Sequence, residues 1–189
     1  MVNDDQLREV PFSSETIYDG KVVHLERWQV SLPNGNTAVR EVIKHIGAAA
    51  VVPIDEEGNI TLVRQHRVVI DEMTWEIPAG KLDRPDEDPL CCARRELEEE
   101  TGLRATDWQL LSRVVTTPGF CTERISIYLA TGLSQHQAHT DEDEFVRVRK
   151  IPFAEAVQEV LQGHLFDQKT ALGILLAQEA LKSNKKHDL

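Results

Sequence analysis

Residues 80–103 read GKLDRPDEDPLCCARRELEEETGL, and the fold is decided in this stretch. Asp88 is a good helix N-cap, Pro89 suits the first helical position, and Gly102 is a natural C-cap. Leu90, Ala93 and Leu97 fall on one face at helical spacing, so the segment between the caps is expected to be a helix. Asp86, Glu87, Asp88, Glu96, Glu98, Glu99 and Glu100 face only two bases, Arg94 and Arg95. Glu99 and Glu100 flank Glu96 on what is expected to be an exposed helix face, and Glu98 stands four residues after Arg94 as an i,i+4 pair. Like charges at these spacings repel by about a few tenths of a kcal/mol per pair. A glutamate run by itself reads as a solvated face. Here it follows a strand and a Pro-Ala-Gly turn and ends at a glycine cap, with Arg95 able to hold a carboxylate in a charge-assisted fork. A cation makes such a cluster favourable, and an all-oxygen donor set suits Mg²⁺, with Mn²⁺ also fitting.

Outward from this helix the chain alternates short apolar runs with turns. From about Ile17 to His45 it reads as strands around a turn, with Val22, Val23, Leu25, Val30 and Leu32 as apolar positions and Pro33-Asn34-Gly35-Asn36 as the turn. Ala48 to Ile54 is continuously apolar, as in a strand buried on both faces. Ile60 to Arg64 is a further strand, and Trp75 to Pro78 a short extended piece that Pro78 restricts. Strands are expected near Trp108–Val115, Ile125–Ala130 and Phe145–Val148, and helices over Phe153–Leu161 and Lys169–Leu181. The class is α+β.

The 189 residues suit one domain with a small appendage, and folding buries roughly 70% of the surface. Hydrophobic residues are 41% and charged residues 28%, the profile of a globular chain. A net charge of −11 argues against nucleic acid and against anionic membranes as partners. No apolar run reaches the ~20 residues of a membrane span, and the polar, acidic N-terminus is not that of a signal peptide. Cys91, Cys92 and Cys121 have neither disulfide-framework nor zinc spacing, which fits a reducing, cytoplasmic setting. Cys91 and Cys92 read as small packing residues, and His45 and His66 as strand-edge residues.

Residues 95–103, Arg-Glu-Leu-Glu-Glu-Glu-Thr-Gly-Leu, resemble the second half of the Nudix box, and every specified position of Arg-Glu-apolar-any-Glu-Glu-any-Gly-apolar is filled. Glu87 lies eight positions before Arg95, as that pattern asks. Six residues separate Gly80 from Glu87 where the pattern has five, and the extra one falls in the turn-rich Asp83-Arg84-Pro85-Asp86. More of the chain is similar to one branch, the ADP-ribose pyrophosphatases. Trp75 to Asp83 resembles the approach to the box. Pro118, sixteen residues after Gly102, is that branch's marker. Asp141 to Phe145 resembles its acidic loop, and Asp167 to Thr170 also fits.

The resemblance implies a Nudix α/β/α sandwich at 47–189, preceded by a β-rich segment at 1–46 that builds a homodimer. It implies metal-dependent hydrolysis of the pyrophosphate of ADP-ribose to AMP and ribose 5-phosphate. Glu96 and Glu100 would be direct metal ligands, Glu99 a direct or water-mediated one, and the carbonyl of Ala79 a fourth. Arg95 would orient the glutamates, together with Glu87. Glu142 would be the general base, with Glu144 the alternate. Arg40 and Arg67 would contact phosphate or terminal ribose, Pro118 would belong to the substrate-binding set, Glu123 would hydrogen-bond substrate, and Trp28 could stack on a base, although a core or dimer-interface tryptophan is the plainer reading. The box handles only the shared pyrophosphate, so another nucleoside diphosphate sugar such as GDP-mannose stays open. A regulator that binds ADP-ribose without cleaving it is the alternative from another class.

Overall fold

The computed structural model describes residues 4–137 and 145–187. The chain forms two compact units, residues 1–47 with 115–124, and residues 48–114 with 125–189. In the first unit, after a 3-10 turn at Asp4–Leu7, β1 (Val10–Asp19), β2 (His24–Ser31) and β3 (Thr37–Lys44) make an antiparallel sheet in that order. The turn at Leu32–Asn36 forms as its residues require: Leu32 N–H donates to Asn36 O (2.7 Å), Asn36 N–H donates to the Asn34 side chain (3.0 Å), and Gly35 takes φ 84°. Two expectations need correction. Val22 and Val23 are not strand residues but form the turn that Gly20 N–H closes on Val23 O (2.9 Å). The sheet also begins earlier, at Val10, in a strand with both faces exposed and therefore no apolar alternation to mark it. The returning segment 115–124 binds β3 through Ile43 N–H to Phe120 O (2.7 Å) and Thr122 N–H to Ile43 O (2.9 Å).

The second unit is organised by β4 (Ala48–Pro53), which is buried on both faces as its apolar run demands. It lies between β7 (Ala79–Lys81) and β9 (Arg124–Gln135), with β8 (Leu103–Val115) beyond β9. A second sheet has β5 (Asn59–Arg67) between β10 (Arg147–Pro152) and β6 (Glu72–Glu76). Side chains of β4 alternate between two helical layers. Ala49 and Val51 join Cys92, Ala93 and Leu97 of α1 (Pro89–Thr101). Ala50 and Val52 join Ala156, Val157, Ile174 and Ala177 of α2 (Phe153–Leu161) and α3 (Gln168–His187). Helices thus cover both faces of the sheet layer.

The caps of α1 are those the sequence indicates. Asp88 accepts from Leu90 N–H (3.0 Å), Pro89 opens the helix, and Gly102 closes it at φ 70°. Strand ends were less legible. The strand expected at Trp75–Pro78 is β6, which starts at Glu72 and pairs with β5 through Trp75↔Arg64 and Glu76↔Val63. The strand expected at Phe145–Val148 is β10, paired with β5 from Arg147 to Pro152, while Phe145 is exposed. β8 starts at Leu103, five residues ahead of Trp108, and β9 runs on to Gln135.

Candidate active site

The local turn chemistry brings the end of α1 against the strand that precedes it. Glu76 ends β6, Pro78 O accepts from Val51 N–H (2.8 Å), and β7 then pairs Ala79 with Ala50 and Gly80 with Ala49. Pro-Ala-Gly is therefore held in extended form beside β4, directly under α1. Gly80 is a glycine because a Cβ there would overlap the Glu96 carboxylate.

Glu96 is 8% exposed and Glu100 4%, so the face expected to be exposed is largely covered by this strand. The carboxylates are organised by two kinds of donor. Ala79 N–H donates to Glu100 Oε2 (3.1 Å). Arg95 Nη1 donates to Glu96 Oε1 (2.6 Å) and Glu99 Oε2 (3.1 Å), and its Nη2 donates to Lys81 O (3.2 Å). Burial would lower the Arg95 pKa, but the charges of Glu96, Asp83 and Glu99 outweigh it and raise it, so Arg95 stays cationic. Glu87 accepts from Asp83 N–H (2.6 Å) and lies 3.9 Å from Arg95 Nη2. The residue added between Gly80 and Glu87 is thus absorbed in a loop that Glu87 closes. Glu98 binds Arg104 (2.6 Å), and Arg94 stands 5.8 Å from the centre of the Trp108 ring. Cys92 packs under the site, and burial followed by the Glu96 charge pushes its thiol up to about 12, which makes it unreactive.

Among the described residues no three acidic, histidine or cysteine side chains already converge on one point. Glu96 and Glu99 are turned to Arg95, and Glu100 to the Ala79 amide. The donor set nevertheless fits a divalent cation. Its side chains are carboxylates, a class of hard oxygen ligand, and the strand beneath them adds backbone oxygens. The glycine at 80 keeps the strand close to the Glu96 carboxylate, where any side chain would displace it.

Of the other residues singled out, Arg67 forms a fork on Glu76, with Nε to Oε1 (2.7 Å) and Nη2 to Oε2 (2.5 Å). In the first unit Trp28 and Arg40 stand directly opposite each other on β2 and β3. Trp28 Nε1 donates to Glu26 (2.6 Å), and Arg40 is held by Glu9. Glu123 accepts from Thr116 Oγ1 (2.8 Å) and lies 3.6 Å from His45, and Pro118 sits in the turn that Cys121 N–H closes on Thr117 O (2.9 Å). Glu142 and Glu144 lie outside the described residues.

Sequence reasoning did not single out Glu76. It is 1% exposed, and it receives Arg67, Lys169 and Thr74 Oγ1 (2.5 Å). The signal was present: an acid between Trp75 and Ile77, in a segment too apolar to solvate it, must find partners.

The NUDIX domain description matches residues 44–171. A methanol dehydrogenase activator of Bacillus methanolicus is 43% identical over 92% of this chain and 96% of its own. An ADP-ribose pyrophosphatase of Bacillus subtilis (strain 168) is 40% identical over 95% of this chain and 98% of its own. The solved structure of an ADP compounds hydrolase superposes with a TM-score of 0.83 at 24% identity, covering 94% of this chain and 96% of that one, and shows the same fold. The chain belongs to the Nudix family.

Burial would raise the Glu76 carboxyl, but the Arg67 hydrogen bonds, the Lys169 charge and Thr74 hold it near 2, below its ordinary 4.5. The stabilisation is therefore complete above pH 4.5 and lost as the pH falls from there through 2. The gap in melting temperature between the wild type and Glu76→Gln is expected to be constant from neutral pH to about pH 5 and to close below 4.5. A gap that persists unchanged to pH 2.5 contradicts the assignment.

Proposed function

We propose that this protein hydrolyses the pyrophosphate bond of ADP-ribose to AMP and ribose 5-phosphate with a divalent cation, Mg²⁺ or Mn²⁺. The carrying observation is the gathering of Glu96, Glu99 and Glu100 against residues 79–81 by Arg95 and the Ala79 amide. The likeness to the Bacillus subtilis ADP-ribose pyrophosphatase, nearly end to end in both chains, supports the choice of substrate.

The cation would be held by Glu96, Glu99, Glu100 and the Ala79 carbonyl, and when bound it supplies neutralisation of the pyrophosphate and a lowered pKa for water. Arg95 orients Glu96 and Glu99 by donating to both carboxylates. Arg67 meets a phosphate oxygen. Glu142, or Glu144 as alternate, takes the proton from water as its oxygen bonds to one phosphorus. The bond from that phosphorus to the bridging oxygen breaks, and the bridging oxygen leaves on the other phosphate. On the first unit, Trp28 and Arg40 stand opposite each other on β2 and β3 and would offer a ring and a cation to a nucleoside. The first unit joins two copies of the chain, a role supported by Phe12, Ile17 and Tyr18 exposed on β1.

The likeness to the methanol dehydrogenase activator favours a second reading, in which the chain raises the activity of a dehydrogenase partner. It is checked by assaying a methanol dehydrogenase with and without this chain, and an unchanged rate removes it.

The main test is product chromatography after incubation with Mg²⁺ and, separately, ADP-ribose and GDP-mannose. AMP and ribose 5-phosphate are expected from ADP-ribose, far faster than any product from GDP-mannose. Faster cleavage of GDP-mannose overturns the substrate, and binding of ADP-ribose without cleavage overturns the hydrolysis. Glu100→Gln is expected to lower turnover at least ~100-fold, beyond the roughly 10–100-fold typical of outer partners of a metal site. Glu142→Gln is expected to lower kcat far more than affinity, and a change in affinity alone moves the base elsewhere. Sedimentation velocity is expected to give twice the chain mass, and a single-chain mass removes the dimer.

A further inference from the structure

Glu76 is the most buried carboxylate among the described residues, and both of its oxygens are occupied from three elements. Arg67 approaches from the end of β5, Thr74 from β6 itself, and Lys169 from the first turn of α3. Lys169 is nearly covered and is shared with Asp167 (3.1 Å). Asp167 also accepts from Thr170 N–H (3.0 Å) and Oγ1 (2.6 Å), and Thr170 Oγ1 in turn accepts from Ile77 N–H (2.9 Å). The start of α3 is thereby fastened to residues 76 and 77, two positions ahead of the Ala79 amide that binds Glu100. Glu76 lies three residues ahead of the Ala79 amide that binds Glu100, so the clamp stands at the margin of the glutamate site.

An interior ion pair is a weak source of stability, because desolvation consumes most of the attraction. What such a pair does well is fix a direction. Arg67 spends Nε and Nη2 on Glu76, which locks the plane of the guanidinium. Its side chain nevertheless stays 44% exposed, and among the described residues no acceptor takes its Nη1 edge. An arginine meant only to neutralise Glu76 would gain nothing from that exposure, since Lys169 already supplies a covered cation.

We propose that Glu76 is a positioning residue: it presents Arg67 to a phosphate of the substrate in a fixed orientation, with Lys169 and Thr74 completing the clamp that holds Glu76 itself. The proposal rests on the pyrophosphatase reading above. The preorganisation lies in the long arginine side chain, whose rotamers are ordered before the substrate arrives. Loss of Glu76 therefore weakens substrate binding much more than the chemical step.

The test compares wild type, Glu76→Gln, Arg67→Gln and the double variant in KM and kcat for ADP-ribose. Calorimetric affinity for ADP-ribose in chelator, where no turnover occurs, is measured for each. Glu76→Gln is expected to raise KM and weaken calorimetric binding about tenfold while kcat stays near wild type. The double variant is expected to be no weaker than Arg67→Gln alone, because Glu76 acts through Arg67. Unchanged KM and affinity in folded Glu76→Gln protein, or single effects that multiply in the double variant, overturn the proposal. If Glu76→Gln does not melt cooperatively, Arg67→Lys takes its place. It keeps the charge but cannot form the fork, and KM is expected to rise, whereas an unchanged KM overturns the proposal. Wild-type protein that fails to cleave ADP-ribose while cleaving another nucleotide sugar overturns the substrate reading instead, and the same series is then run on that sugar.

Discussion

The fork of Arg95 on Glu96 and Glu99 is the interaction on which the rest of the site depends. Helix α1 ends in Glu98, Glu99 and Glu100 with no basic residue in its last turn. That is the wrong sign for the negative end of the helix dipole, at a cost of about 0.3–1 kcal/mol per charge. Mutual repulsion of the glutamates adds to it. A sequence selected for helix stability alone would place lysines there. Arg95 offsets part of this cost from within the cluster, and the Ala79 amide offsets another part by binding Glu100. The remainder is the kind of local conflict that sites retain because the chemistry needs it.

The fold supports this arrangement through a single strand. β4 is apolar on both faces, so α1 packs on one side and α2 and α3 on the other. Its partner β7 carries Ala79 and Gly80 past the end of α1. The Glu96 carboxylate lies in the space that a Cβ at position 80 would occupy. Packing thus fixes the position of the carboxylates, and their charge is managed by hydrogen bonds from residues on the same two elements.

The helix was legible from its ends, because caps are chosen by local backbone geometry and Asp88, Pro89 and Gly102 each serve one. β4 was legible because burial on both faces leaves a continuous apolar run. β1 was not, since neither of its faces is covered and its residues carry no period. β10 was misplaced because Phe145 looked like a strand residue, whereas the strand is held by pairing of Arg147 to Pro152 with β5, a non-local fact. The glutamates of the site were legible from their spacing, but their burial was not, because the covering strand comes from outside the helix. The clamp around Glu76 was hidden for the same reason. Its partners Arg67 and Lys169 are nine and 93 residues away in sequence.

The central claim is that the carboxylates gathered by Arg95 form a cation site. The most direct measurement is titration of Mn²⁺ into the substrate-free protein, followed by electron paramagnetic resonance of the free ion. The account predicts saturable binding in the wild type that is lost in Glu96→Gln and Glu100→Gln proteins that still melt cooperatively. Equal Mn²⁺ binding by the wild type and both variants, or none by any of them, would contradict it.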